Sequence, residues 1–117
     1  MEAAEQSRVL QAISTGIVAI HREHFGRGSD SVRTIMHGDY VCTFLSDIFT
    51  PAERTLIKAG HYDQVQTSRY LFQNALRAAF VGVVEEATRR KVAAFFSQVH
   101  ANPDMAMEGF VLEPARG

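Results

Sequence analysis

Apolar residues recur at steps of three and four near the start of the chain. Leu10, Ile13, Ile17 and Ile20 are followed at the same spacing by His24, while Arg8, Gln11, Ser14, Arg22 and Glu23 fall largely off that line. Such steps return to one helical face, so the pattern predicts a helix over Ala4–Phe25 with His24 turned towards the core. Gly26-Arg27-Gly28-Ser29-Asp30-Ser31 ends it, Gly26 suiting a left-handed C-cap in a turn-rich run. At Val32 the period falls to two. Val32, Thr34 and Met36 alternate with Arg33 and Ile35, His37-Gly38-Asp39 interrupts, and Tyr40–Leu45 resumes with β-branched and aromatic residues. Two β-prone runs about a Gly-Asp turn predict a hairpin.

Thr50-Pro51-Ala52-Glu53 is the clearest local signal. Thr50 can accept from the Glu53 N–H, the Glu53 carboxylate can reach back, and proline fits the first helical position. Ala59-Gly60 predicts an early stop. Asp63-Gln64-Val65-Gln66 offers a second capping box, opening a long helix to about Arg89. Its stripe would be Val65, Phe72, Leu76, Ala79/Phe80, Val83 and Ala87, with Arg69 breaking the line. That helix is expected to be the central packing element. Lys91–His100 again reads as a strand, Asn102-Pro103-Asp104 as a turn, and Phe110-Val111-Leu112 as a final strand. Each long helix precedes a hairpin, a hint of an αββ repeat that the residues of the two halves do not match well enough to assert. The order predicts a single α+β domain over residues 1–117, a four-stranded antiparallel sheet with helices on one face. A sheet covered on one side leaves edges and a face to hide, so a homo-oligomer, with a dimer favoured, is expected.

Composition narrows the function classes. Across 117 residues, 46% apolar and 21% charged positions exclude a disordered or collagen-like chain. Thirteen acids against twelve bases give a formal charge of -1, without the field that draws proteins onto nucleic acid or anionic lipid. A single cysteine forms no internal disulfide. The acidic start, Met1-Glu2-Ala3-Ala4-Glu5, is unlike a signal peptide, and the charge-free run Val9–Ile20 falls short of the roughly 20 apolar residues of a spanning helix. The expectation is a cytoplasmic chain with no direct membrane insertion.

Candidate chemistry is sparse. The Gly28 and Ser29 N–H groups, with Arg27 and Arg33 near, could cradle a carboxylate or phosphate as a nest, although a glycine cap explains the loop more simply. His21 and His24 lie three apart with Glu23 between them and His37 beyond, without the spacing of zinc motifs, so no metal is expected. Cys42, inside a strand, reads as a small buried hydrophobe. Glu85 and Glu86 are adjacent, point to different sides of a helix and cannot share a proton. No nucleophile or metalloprotease motif occurs, so neither catalysis nor a cofactor is expected. Arginine outnumbers lysine ten to two, which suits bidentate recognition or interface ion pairs. Arg89-Arg90-Lys91 before Phe95-Phe96 superficially suggests an RNA-binding strand, but the element order and charge argue against it.

Several short motifs in order carry a resemblance. They are Phe25-Gly26-Arg27-Gly28, Arg33-Thr34, Thr50-Pro51-Ala52-Glu53-Arg54-Thr55-Leu56, Gly60, and Arg90-Lys91-Val92 leading to His100 and Pro103-Asp104. Over roughly residues 8–113 the chain resembles the MpsC-like family of small bacterial proteins, named for a sodium-translocating, membrane-potential-generating system. Ser29 and Arg89 stand where that pattern has proline and glycine. The resemblance implies a soluble accessory or regulator linked to ion or bicarbonate transport, with a membrane transport protein as partner. The ligand-binding positions nominated are Gly26, Arg27, Gly28, Ser29, Arg33, His37, Arg90, His100 and Asp104. The rival reading is a small enzyme with its site at a subunit interface, using His37 and Asp39 from one copy and arginines from the other. A third is a ligand-free scaffold or a nucleic-acid-binding protein.

Overall fold

The computed structural model describes residues 1–115. Helix α1 (Ala3–Phe25) leads to the strands β1 (Ser31–His37) and β2 (Tyr40–Ser46). Three helices follow, α2 (Pro51–Lys58), α3 (Tyr62–Ala75) and α4 (Arg77–Thr88), and then β3 (Val92–His100) and β4 (Met105–Leu112). The fold is α+β, as the patterning predicts. The sheet is antiparallel in the order β1-β2-β4-β3, so two hairpins lie side by side with their second strands in contact.

Local chemistry sets most boundaries. Gly26 adopts φ 72 and donates its N–H to the Arg22 carbonyl, closing α1 with the expected left-handed cap. Gly38 supplies the positive φ, 59, that a two-residue hairpin turn needs at its first position. The Thr50–Glu53 capping box forms in both directions: Glu53 N–H donates to Thr50 Oγ1 at 3.2 Å and Thr50 N–H to Glu53 Oε1 at 2.9 Å.

Four expectations are corrected. The long helix is two, because Leu76 (φ -97, ψ 7) leaves helical geometry and serves as the C-cap of α3 and the N-cap of α4. The capping box at Asp63 does not form; α3 starts two residues earlier, with His61 as an N-cap that makes no side-chain bond. The buried line of α3 is Val65, Arg69 and Gln73, whereas Phe72 is 45% exposed. In α1 the buried set is Ile13, Ser14, Ile17, Ile20 and His21, and it is His24 that faces solvent. Helix α1 packs both on the sheet and on α4, so its buried band widens towards Ser14 and His21. A Cβ added at Gly16 would lie 2.6 Å from a Val83 methyl, which is why the α1–α4 contact requires glycine there.

The core lies between sheet and helices. Ile13, Ile17, Val41, Leu45, Ile48, Phe80, Val84, Phe110 and Leu112 are buried there. On the inner face, cross-strand partners form three rows: Val32–Leu45–Ala106–Val99, Thr34–Thr43–Glu108–Ser97, and Met36–Val41–Phe110–Phe95. The outer two rows are apolar and the middle one is polar. The opposite face has no covering element among the described residues and displays Ile35, Tyr40, Phe44 and Phe96, at 48, 64, 37 and 58% exposure.

Candidate functional site

The polar middle row is the most unusual feature of the core. Ladder geometry explains why its members touch. Leu112 N–H donates to Asp39 O towards β2, and Glu113 N–H donates to Lys91 O towards β3. Even positions of β4 therefore bond to β2 and odd ones to β3, which leaves Ser97–Glu108 a non-hydrogen-bonded pair with its side chains close together. Ser97 Oγ lies 2.6 and 2.9 Å from the two Glu108 carboxyl oxygens. Thr34 and Thr43 are hydroxyl partners at 2.8 Å, and Ser14 of α1 joins Thr34 at 2.7 Å. From α3, Gln73 Nε2 reaches Glu108 at 3.5 Å.

Glu108 has no solvent exposure and no ion-pair partner among the described residues. Burial pushes its carboxyl up to about 8, against the opposing pull of the Ser97 hydrogen bond and the more distant Arg69 charge. At neutral pH it is a neutral acid able to donate. Burial raises the Cys42 thiol on the neighbouring strand, and the Glu108 charge, once that group ionises, adds to it. Cys42 is half-buried, so a reactive thiolate is disfavoured.

One turn earlier on α3, Arg69 is fully buried. Its Nε and Nη2 grip the Glu53 carboxylate at 2.7 and 2.6 Å, and Nη2 also donates to the Ile48 carbonyl at 2.9 Å. The guanidinium lies 3.9 Å from the centre of the Phe25 ring. Burial raises the Glu53 carboxyl, but the Arg69 and Thr50 hydrogen bonds and the Arg69 charge outweigh it and hold the group below the usual range. His21 packs against Phe25 and Phe80, and neither ring nitrogen has a partner among the described residues. Burial, then the neighbouring Arg69 charge, lower its pKa to about 4, so it is neutral. Thus Arg69 ties α3 to α2 and to the loop before it, and the residue that broke the apolar stripe is a structural centre.

Two adjoining hollows, about 390 and 360 Å³, open beside this row between α3 and β3. Both are lined by Tyr70, Gln73, Ser97 and Gln98, and Glu108 lies behind their floor.

The nominated ligand positions do not meet at one place. Gly26–Ser29, His100 and Asp104 lie at the end of the sheet formed by the Ser31, Ser46, Met105 and His100 register, whereas His37 and Arg90 lie at the other end. Arg27 donates to the Asp47 carbonyl at 2.8 Å and pairs with Asp30 at 3.2 Å. Ser29 Oγ contacts Ser31 O and Ser46 O, and Arg33 is exposed on the outer face. His100 Nδ1 contacts the Pro103 carbonyl, and Asp104 accepts from the Ile48 and Phe49 N–H groups. Arg90 pairs with Asp39 and donates to the Glu113 carbonyl, clasping the hairpin turn to the chain after β4. His37 and Asp39 line neither hollow. Among the described residues no cluster of three metal-ligating side chains occurs, and no helix is long and apolar enough to cross a membrane.

Sequence reading missed Glu108, Gln73 and Ser97. Arg69 shows there only as the charge interrupting an apolar stripe, and His21 only as the neighbour of His24. Comparison with curated proteins and with solved structures finds no match. The family model described as "Na+-translocating membrane potential-generating system (MpsC)" matches residues 5–114. Nearly the whole described fold is therefore the family's unit, and the chain belongs to the MpsC family.

Proposed function

We propose that this MpsC-family chain is a non-catalytic binding module that works as a homodimer and serves as an accessory to a membrane transport partner. The observation that carries the reading is the uncovered outer face of the sheet. Ile35, Tyr40, Phe44 and Phe96 present a continuous apolar surface there, with Met105, Met107 and Val111 between them. Surfaces of this kind mark interaction sites. At about 200 Å² for a whole aromatic side chain, the exposed parts of Tyr40, Phe44 and Phe96 amount to about 300 Å² per copy. A second copy offers the same surface and satisfies both faces at once. Protein binding is favoured over a small-anion role for the Gly26–Ser29 loop because Arg27 and Ser29 are already engaged within the fold.

Native mass spectrometry and light scattering test the proposal. The expected result is a dimer that Phe44→Glu with Phe96→Glu converts to a folded monomer. A wild-type monomer at 100 micromolar, or a dimer indifferent to both charges, would overturn it.

A further inference from the structure

We propose that the groove between α3 and the free edge of β3 binds an extended peptide, running antiparallel to β3, with its C-terminal carboxylate at Arg77. The proposal goes beyond dimerisation and uses the edge of β3 instead of the outer face, the two meeting at Phe96. Strand β3 ends the sheet, so one side of its backbone has no strand partner. The alternation that makes Ser97–Glu108 a non-bonded pair turns the N–H and C=O of Phe95, Ser97 and Val99 to that side. Val99 confirms the direction, since its carbonyl accepts from the Tyr62 hydroxyl at 3.2 Å. That bond closes one end of the edge. Phe95 and Ser97 remain open to the two hollows, which together follow the strand from Phe95 to Val99.

A strand added to such an edge takes its affinity from main-chain hydrogen bonds and its specificity from pockets for alternate side chains. Five residues of strand span about 16 Å, enough for a short peptide segment. The walls suit that occupant. Gln66, Gln73, Asn74 and Gln98 offer amides, while the exposed rings of Tyr70 and Phe96 offer apolar contact. Among the described residues the only charged one lining the hollows is Arg77, at the Phe95 end, with its guanidinium 5.6 Å from the centre of the Phe95 ring. It makes no ion pair among the described residues. An anion at that end, next to the first residues of β3, sets the antiparallel direction. Glu108 behind the floor is neutral and does not oppose it.

The probe is a heptapeptide selected from a random library displayed with free C-termini, synthesised with a fluorescent N-terminal label and measured by anisotropy on the full chain. The expected result is micromolar binding that weakens at least fivefold when the C-terminus is amidated. Methylation of one pairing amide should weaken it at least tenfold, and Arg77→Ala should abolish the difference between acid and amide. Arg77 is exposed, so that variant keeps its fold. Amide exchange on the complex should slow at Phe95 and Ser97. Failure to select any peptide tighter than 100 micromolar, binding indifferent to amide methylation, or full competition by free acetate would each overturn the proposal. So would a wild-type dimer whose β3 edge is already protected by a second copy. The Ile35→Glu, Phe44→Glu variant, which charges the outer face and leaves the residues lining the two hollows intact, separates this outcome from failure of the dimer face.

Discussion

Replacing Glu108 with glutamine keeps the shape and hydrogen-bonding capacity of the acid but removes its titration. In the wild type, Glu108 holds its proton to about pH 8 when folded and loses it near 4.5 when unfolded. Across that interval the folded state binds one more proton, so stability falls as pH rises, by about 1.4 kcal/mol per unit. His21 acts in the opposite sense. Its folded value of about 4 lies below the ordinary 6.5, so its contribution is complete above 6.5 and is lost as pH falls towards 4. Between about 4.5 and 6.5 the two slopes cancel. The wild type should therefore show a plateau there, followed by a loss of about 2 kcal/mol between pH 6.5 and 8. For a chain of this size that is a fall of about 1 M in urea midpoint. Glu108→Gln should instead gain about 3 kcal/mol from pH 4 to 6.5 through His21 alone, then hold level to pH 8. Urea unfolding followed by circular dichroism, at fixed protein concentration from pH 5 to 8.5, measures both profiles. A wild-type midpoint that stays flat above pH 6.5, or a variant that falls in parallel with the wild type, would refute the neutral buried acid.

Arg69→Met should destabilise by about 3–5 kcal/mol, because it leaves the Glu53 carboxylate and the Ile48 carbonyl without their partner; chemical denaturation reads the loss. Gly16→Ala should cost about 1–3 kcal/mol through collision with Val83, and Val83→Ala in the same chain should recover most of it in a double-mutant cycle. Arg89 closes α4 at φ 58, a left-handed position that costs a side-chain-bearing residue roughly 1 kcal/mol. Arg89→Gly should therefore raise the melting temperature by several degrees.

The elements were legible where the chain carries a local signal. The α1 periodicity, the Gly38-Asp39 turn and the Thr50 box each specify structure within a few residues, and each element formed there. The αββ hint is realised as two hairpins, one following α1 and one following α4. The break at Leu76 was hidden, since no glycine or proline marks it and the apolar spacing continues through it. The candidate site was less legible. Thr34, Thr43, Ser97 and Glu108 are each ordinary in sequence and become a row only through strand register between distant segments. The apolar line places His24 towards the core and gives His21 no side, because it is a single helical line where two neighbours, the sheet and α4, bury a wider band. The departure at Arg89 was visible in the family pattern, and its physical meaning emerged from one dihedral angle.

The seam between the two hairpins also shapes how the chain folds. Each hairpin closes over a short turn, but the β2–β4 pairing joins Thr43 to Glu108, about 65 positions apart in sequence. Loop-closure entropy and contact order make that docking the slow event. Glu108 is on the seam, and at pH 7 all but roughly one in 300 unfolded chains carry it ionised. Closing the seam at neutral pH therefore draws a proton from solution. Refolding in weak buffer should raise the pH of the solution, and its rate should slow as pH rises towards 8, with the two hairpins gaining amide protection before the join between them.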